Sequence, residues 1–225
     1  MTFYSMPVKN LMNKVLVLLA TRITIAKLNA SGQCLLSSSC AFPEKSQSHN
    51  SSIEETASGE LLCSFDGFER VYAVRVKASD LVAINAEHAM PAKIQQHTLG
   101  HRGGSELLFV SLQDNTVRAF SVGADALYAI AQIAFQDSPW RLLWLPQREL
   151  LLISLWNESK KAEVIDVLRV ASSETALEKF GRALEADAAI DAVCWLESTE
   201  NENENELLIF DANKRELVQL VIQEV

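Results

Sequence analysis

Apolar runs recur along this chain in pairs. In each pair a run that is apolar throughout is followed, across a short polar break, by a run in which apolar and polar positions alternate. Residues 14–20 and 23–28 pair around Thr21-Arg22, residues 60–65 and 70–76 around Asp66-Gly67, and residues 107–112 and 116–122 around Asp114-Asn115. Residues 148–156 and 162–168 pair around 157–161, and residues 206–210 and 216–222 around 211–214. Strict alternation marks a half-buried strand, and a short run apolar on both faces marks a strand enclosed by neighbours. The pattern predicts a series of five β-hairpins.

Additional strands flank these hairpins. Residues 33–37, 81–85 and 126–131 follow the first three, while 139–146 and 189–196 precede the last two. The turns of the first four hairpins lie about 45 residues apart and the last gap is about 54, a period typical of units with up to four strands. Residues 45–58 are polar and read as a flexible loop. Residues 172–189 place Ala176, Leu177, Phe180 and Leu184 on one helical face and read as a helical insert. Residues 199–206, with their Asn-Glu alternation, read as an acidic solvated loop.

Residues 111–122 carry a resemblance. Ser111, Asp114, Thr116, Val117, Arg118, Phe120 and Val122 fall on the pattern that closes a WD40 repeat. There the Asp organises the tight turn through side-chain to backbone bonds. The other hairpins share the period, with Asp66 and Asp211 in turns but without the Trp-Asp ending. The resemblance implies one all-β, β-propeller-like domain over residues 1–225 with about five blade units. Such a ring is either incomplete, closed by a partner, or closed by residues 2–8 as the outer strand of the last unit. It also implies a platform for protein complexes.

Composition changes this picture little. The chain is 48% hydrophobic and 22% charged, the balance of a folded globular protein. Its net charge of −9 argues against a broad phosphate-binding surface, so direct nucleic-acid binding is not expected. Cys34, Cys40, Cys63 and Cys194 contain no C-x-x-C pair and read as thiols of a reducing compartment, which predicts a cytoplasmic or nuclear location. The apolar run at 15–20 is shorter than a signal core and is followed by Arg22, so it reads as a core strand. No run approaches the roughly 18 apolar residues of a membrane span.

Candidate chemistry is sparse. Trp140, Trp144, Trp156 and Trp195 crowd the second half and serve either blade packing or an aromatic interface. Trp140 and Trp156, with Lys160 and Lys161, are the candidate partner-binding residues. Asp66, Asp114 and Asp211 are candidate structural turn residues. His97 and His101, with His88 nearby, have a spacing that places two imidazoles on one helical face, but their flanks read as loop, so no metal is expected. Residues 100–104 are glycine-rich without a Walker lysine and read as a connector between blades. No G-x-S-x-G is present. These readings predict no catalytic, cofactor or metal site, and a non-catalytic scaffold or adaptor subunit in a hetero-oligomeric complex. Two alternatives stand beside it: an accessory subunit of an RNA-modifying or RNA-processing complex, and a propeller hydrolase with a metal in its central channel.

Overall fold

A computed structural model of the chain describes residues 2–4, 14–19, 22–28, 33–43, 51–76, 82–146, 148–171, 176–186, 192–196, 205–211 and 216–222. Side chains are described for a subset that includes 51–76, 82–146 and 148–171. The described residues form antiparallel sheets and contain no helix.

Four sheets have four strands each and one has three. The first comprises Thr2–Tyr4 (β1), Lys14–Leu19 (β2), Arg22–Leu28 (β3) and Cys34–Ala41 (β4). The second comprises Ser51–Glu55 (β5), Glu60–Phe65 (β6), Arg70–Val76 (β7) and Val82–Ala89 (β8). Ile94–Arg102 (β9), Ser105–Leu112 (β10), Thr116–Val122 (β11) and Leu127–Ala134 (β12) make the third. The fourth is Ser138–Leu145 (β13), Leu150–Asn157 (β14), Ala162–Val170 (β15) and Leu177–Ala186 (β16), and the fifth is Ala192–Leu196 (β17), Asn205–Asp211 (β18) and Glu216–Ile222 (β19). In each, strand order follows chain order, as in a propeller blade. The predicted hairpins are the β2/β3, β6/β7, β10/β11, β14/β15 and β18/β19 pairs.

Several predicted segments take another form. Thr2–Tyr4 pairs with β2, Thr2 opposite Leu18, so it opens the first unit and does not complete the fifth. Ser51–Glu55, inside the predicted loop 45–58, pairs with β6; only Ile53 is buried there, which is why the strand reads as polar. Within the predicted helical insert, Leu177–Ala186 is an outer strand. Register shifts against β15 leave Phe180 and Ala183 without opposite partners, and these bulges break the two-residue period that identifies a strand. Asn205 and Glu206 belong to β18, while 199–204 lie outside the described residues. His97, Gly100 and His101 are in β9, and Gly103-Gly104, both at positive φ, make the turn inside the third unit, not a connector between units.

The core lies between units. Leu61, Cys63 and Phe65 face the first unit, packing with Ile23 and Phe42, whereas Leu62 faces the third, packing with Leu108 and Val110. Leu107 and Phe109 face the fourth, against Leu142 and Trp144. Successive residues of β6 and of β10 thus serve different seams, and the second and third units are buried on both faces. The third strands β7 and β15 are enclosed too, contrary to their alternating sequence; solvent exposure on alternate residues appears in the outer strands β8 and β12.

The Asp114 turn is self-contained. Asp114 Oδ1 accepts from the Thr116 amide at 3.1 Å and from its hydroxyl at 2.6 Å, and Asn115 takes φ 61°. Asp114→Ala removes both hydrogen bonds, and chemical denaturation should show a loss of about 1 kcal/mol. An unchanged midpoint would mean that the turn holds without them.

Candidate interaction site

One end of the fourth unit gathers the predicted partner-binding residues. Ser138 at the start of β13 opposes Trp156 near the end of β14, which opposes Glu163 at the start of β15. The register of β13 shifts between Pro139 and Arg141, so Trp140 sits in a bulge and has no partner residue in β14. The turn 157–161 closes the same end. Four residues spread from position 140 to 161 thereby meet at one edge of one sheet.

Each indole is pinned from within. Trp140 Nε1 donates to Glu163 Oε1 at 3.3 Å, and the Arg141 guanidinium lies 4.2 Å from the centre of the Trp140 ring, a cation–π arrangement. Glu163 is fully buried and also accepts from the Ser154 hydroxyl. Trp156 Nε1 donates to Glu158 Oε2 at 2.6 Å. Lys161 pairs with Glu158 as well, and the hydrogen bonds from Lys161 and Trp156 hold the Glu158 carboxyl below the usual range. Asn157 Oδ1 accepts from the Lys160 amide at 2.9 Å and the Ser159 hydroxyl at 2.8 Å, while its amide donates to Asp137 at 2.8 Å. Lys160 and Lys161 are exposed, and both tryptophans are half-buried. The result is a fixed aromatic ledge with a cationic rim.

The other two tryptophans divide. Trp144 is buried and stacks on Phe109 with centroids 5.2 Å apart and planes at 19°, so it is a packing residue of the seam. Trp195 lies in β17, and its side chain is outside the described residues. Among the turn aspartates, Asp66 is pushed up by burial and receives the Gln113 side chain at 3.5 Å. Asp211 ends β18, opposite Glu216, and its side chain is likewise outside the described residues.

A second polar cluster lies where the first strands of the second and third units meet, and sequence reading missed it. His97 is buried, with its Nδ1 2.6 Å from Ser64 Oγ across the seam. Desolvation lowers its pKa to about 4, opposed by a bond with the Leu62 backbone. The Thr98 hydroxyl donates to Glu54 Oε1 at 3.2 Å; burial raises Glu54 to about 7, against that bond. The His97 amide donates to Ser52 Oγ at 3.3 Å, and one unit later the Leu142 amide donates to Gln96 Oε1 at 2.9 Å. Side chains of one inner strand thus cap the open edge of the next at matching positions. The signal in the sequence was the 45-residue offset from Ser52 to His97, close to the unit period.

The histidine pair does not make a metal site. In an extended strand, residues four apart are separated by about 13 Å, and His97 is buried where His101 is exposed. Among the described residues no three His, Cys, Asp or Glu side chains converge as metal ligands.

No protein-family model matches the chain, and no curated protein matches it in sequence. Solved structures do match its fold. BBS1N, solved in complex with ARL6DN, is 14% identical with a TM-score of 0.64, over 94% of this chain and 64% of that one. A chain of the S. cerevisiae assembly of Dbp5 bound to Nup159 and Gle1 is 10% identical with a TM-score of 0.57, over 94% of this chain and 59% of that one. A Bacteroides fragilis protein to which 6-phosphogluconolactonase activity is ascribed is 15% identical with a TM-score of 0.56, over 90% of this chain and 65% of that one. The chain spans about three fifths to two thirds of the length of these solved chains.

At these identities the likeness defines the fold alone: this is an all-β, β-propeller-like protein whose described residues form five blade-like sheets. Protein complexes figure among the structures it resembles. The expectation that the chain is not an enzyme is overturned. A lactonase activity is ascribed to a protein of the same fold, so this architecture gives no ground for excluding catalysis.

Proposed function

We propose that this protein is an interaction subunit of an intracellular multiprotein complex. It holds a partner protein against the end of the fourth unit formed by Trp140, Trp156, Lys160 and Lys161. We also read the Asp114 hairpin as a WD40-type repeat ending. The observation that carries the proposal is the ledge itself: two indoles locked by internal hydrogen bonds beside exposed lysines. Rigid aromatic anchors lose little conformational entropy on binding, and a cationic rim steers an acidic partner surface into place. The solved complexes of similar fold support a role in assembly.

Affinity purification from the native cells tests this. The wild-type chain should recover a stoichiometric partner, and Trp156→Ala with Lys160→Glu should weaken that capture by about 30-fold without changing the melting temperature. Trp140 is left intact because it also supports Glu163. Equal recovery by the variant, or no partner for the wild type, would sink the proposal.

A further inference from the structure

We infer, taking the tryptophan ledge as the partner's seat, that Glu158 is an internal latch on it and that a carboxylate side chain of the partner protein displaces this latch. Trp156 lies near the end of β14, and Lys161 closes the turn that leads into β15. Both aim a donor at one carboxyl group. Trp156 Nε1 donates to Glu158 Oε2 at 2.6 Å, and Lys161 Nζ pairs with Glu158 Oε1. A neutral N–H and an ammonium converging on the two oxygens of one carboxylate make a carboxylate seat, held by charge-assisted hydrogen bonding. In the free protein a side chain of the same turn fills it.

The two indoles differ in what holds them. Trp140 donates to Glu163, which is fully buried and shared with Ser154, so that acceptor is a fixed part of the sheet. Trp156 donates to a side chain that is 75% exposed. The turn itself does not depend on Glu158. Asn157 Oδ1 accepts from the Lys160 amide and the Ser159 hydroxyl, and the Asn157 amide donates to Asp137. Asn157 therefore sets the backbone that carries both donors, and Glu158 supplies only an occupant. Exposed ion pairs add little to stability, so opening the latch costs little. Exchanging one carboxylate for another keeps the indole N–H and the ammonium bonded, and neither donor is left without an acceptor.

The chemistry of the seat selects its occupant. An Asp or Glu side chain in an exposed segment of the partner reproduces both contacts of Glu158. Lys160, exposed and next in the turn, is placed for a second acidic residue beside it. A neutral amide in the seat would leave the ammonium uncompensated. A segment without an acid therefore leaves Glu158 where it is, and the latch acts against wrong partners as well as for the right one.

The probe is the capped tetrapeptide Gly-Glu-Glu-Gly, titrated into the full chain labelled with nitrogen-15. The readout is the indole N–H resonance of Trp156, identified by its loss in Trp156→Phe. Glu158→Ala should bind the peptide about tenfold more tightly than the wild type, with a shift of the Trp156 resonance, and should bind Gly-Gln-Gln-Gly about tenfold more weakly than the glutamate peptide. Removing a negative charge raises affinity for an acidic peptide wherever it sits, so a second substitution locates it. Trp156→Phe keeps a ring and loses the donor; added to Glu158→Ala it should reduce affinity about threefold. If Glu158→Ala melts early, Glu158→Gln, which retains an acceptor for the indole, should still bind more tightly than the wild type. No gain in either Glu158 variant, a shift that misses Trp156, no loss on adding Trp156→Phe, or tighter binding of inorganic phosphate than of the glutamate peptide would overturn the inference. Partner capture separates the latch from the ledge. Glu158→Ala should raise recovery from the native cells. If it does not, while Trp156→Ala with Lys160→Glu still weakens capture, the latch falls and the ledge stands. Equal recovery by all three proteins removes the ledge itself.

Discussion

Gly100→Val should destabilise the protein by about 3 kcal/mol, although valine is the better strand former by about 1 kcal/mol. Gly100 lies within β9 at ordinary negative φ, so its role is not conformational freedom. A Cβ there would come within 2.7 Å of Trp144 and 2.8 Å of Phe109. Those two rings stack across the seam between the third and fourth units, and both are buried. Neither ring can retreat, because close-packed neighbours surround it. The glycine is the space into which the stack fits. Urea unfolding of the wild type and variant tests this. A variant at least as stable as the wild type would show that the seam can shift, and that the tryptophan stack does not fix the spacing of the two units. Gly100→Ala should lie between them, since it adds the same Cβ without branching.

Glu54→Gln should stabilise the protein by about 3 kcal/mol at pH 8 and leave it nearly unchanged at pH 4. Folded, Glu54 keeps its proton up to about pH 7, against 4.5 for the ordinary carboxyl. Between these values the folded chain binds more protons than the unfolded one. The contribution of Glu54 is therefore fully present below pH 4.5 and is lost as pH rises through 7. His97 acts in the opposite sense. Its pKa falls from 6.5 to about 4 on folding, so its neutral burial is destabilised as pH drops from 6.5 towards 4.

In the wild type these two slopes oppose one another between pH 4.5 and 6.5. Glutamine retains an acceptor for the Thr98 hydroxyl and removes the titration. The variant should expose the His97 slope alone, with stability rising steeply from pH 4 to 6.5 and then levelling. Denaturant midpoints measured across pH would show it. Parallel curves for the two proteins would mean that Glu54 is solvated enough to ionise normally.

Much of the fold is legible in residue order, and the errors have one cause. The five hairpins are read correctly because β2, β6, β10, β14 and β18 are apolar on both faces and bounded by turn residues. The inner and outer strands are harder. Ser51–Glu55 buries only Ile53, so hydrophobicity does not reveal a strand that is held by backbone pairing to β6. Leu177–Ala186 contains two bulges, and its apolar residues fall at helical spacing as a consequence. Pattern recognition depends on side-chain burial, and at the edges of a blade burial is partial.

The candidate surface shows the same division. Trp140, Trp156, Lys160 and Lys161 stand out by residue type, yet nothing in their order says that the first indole would reach Glu163 or the second Glu158. That depends on the bulge at Trp140 and on the three-strand row Ser138, Trp156 and Glu163. The Ser64–His97 and Thr98–Glu54 bonds are more remote still, each joining residues of different units.

By itself the sequence determines the repeating strand–turn–strand unit, its period and its tight Asp114 turn. These are properties of neighbouring residues, set by alternation, turn chemistry and composition. Only the tertiary structure decides which residue of each strand faces which seam, why Gly100 must lack a side chain, and how burial moves Glu54 and His97 in opposite directions. Those depend on one unit packing against the next, where atoms distant in the chain exclude water and fill the same space.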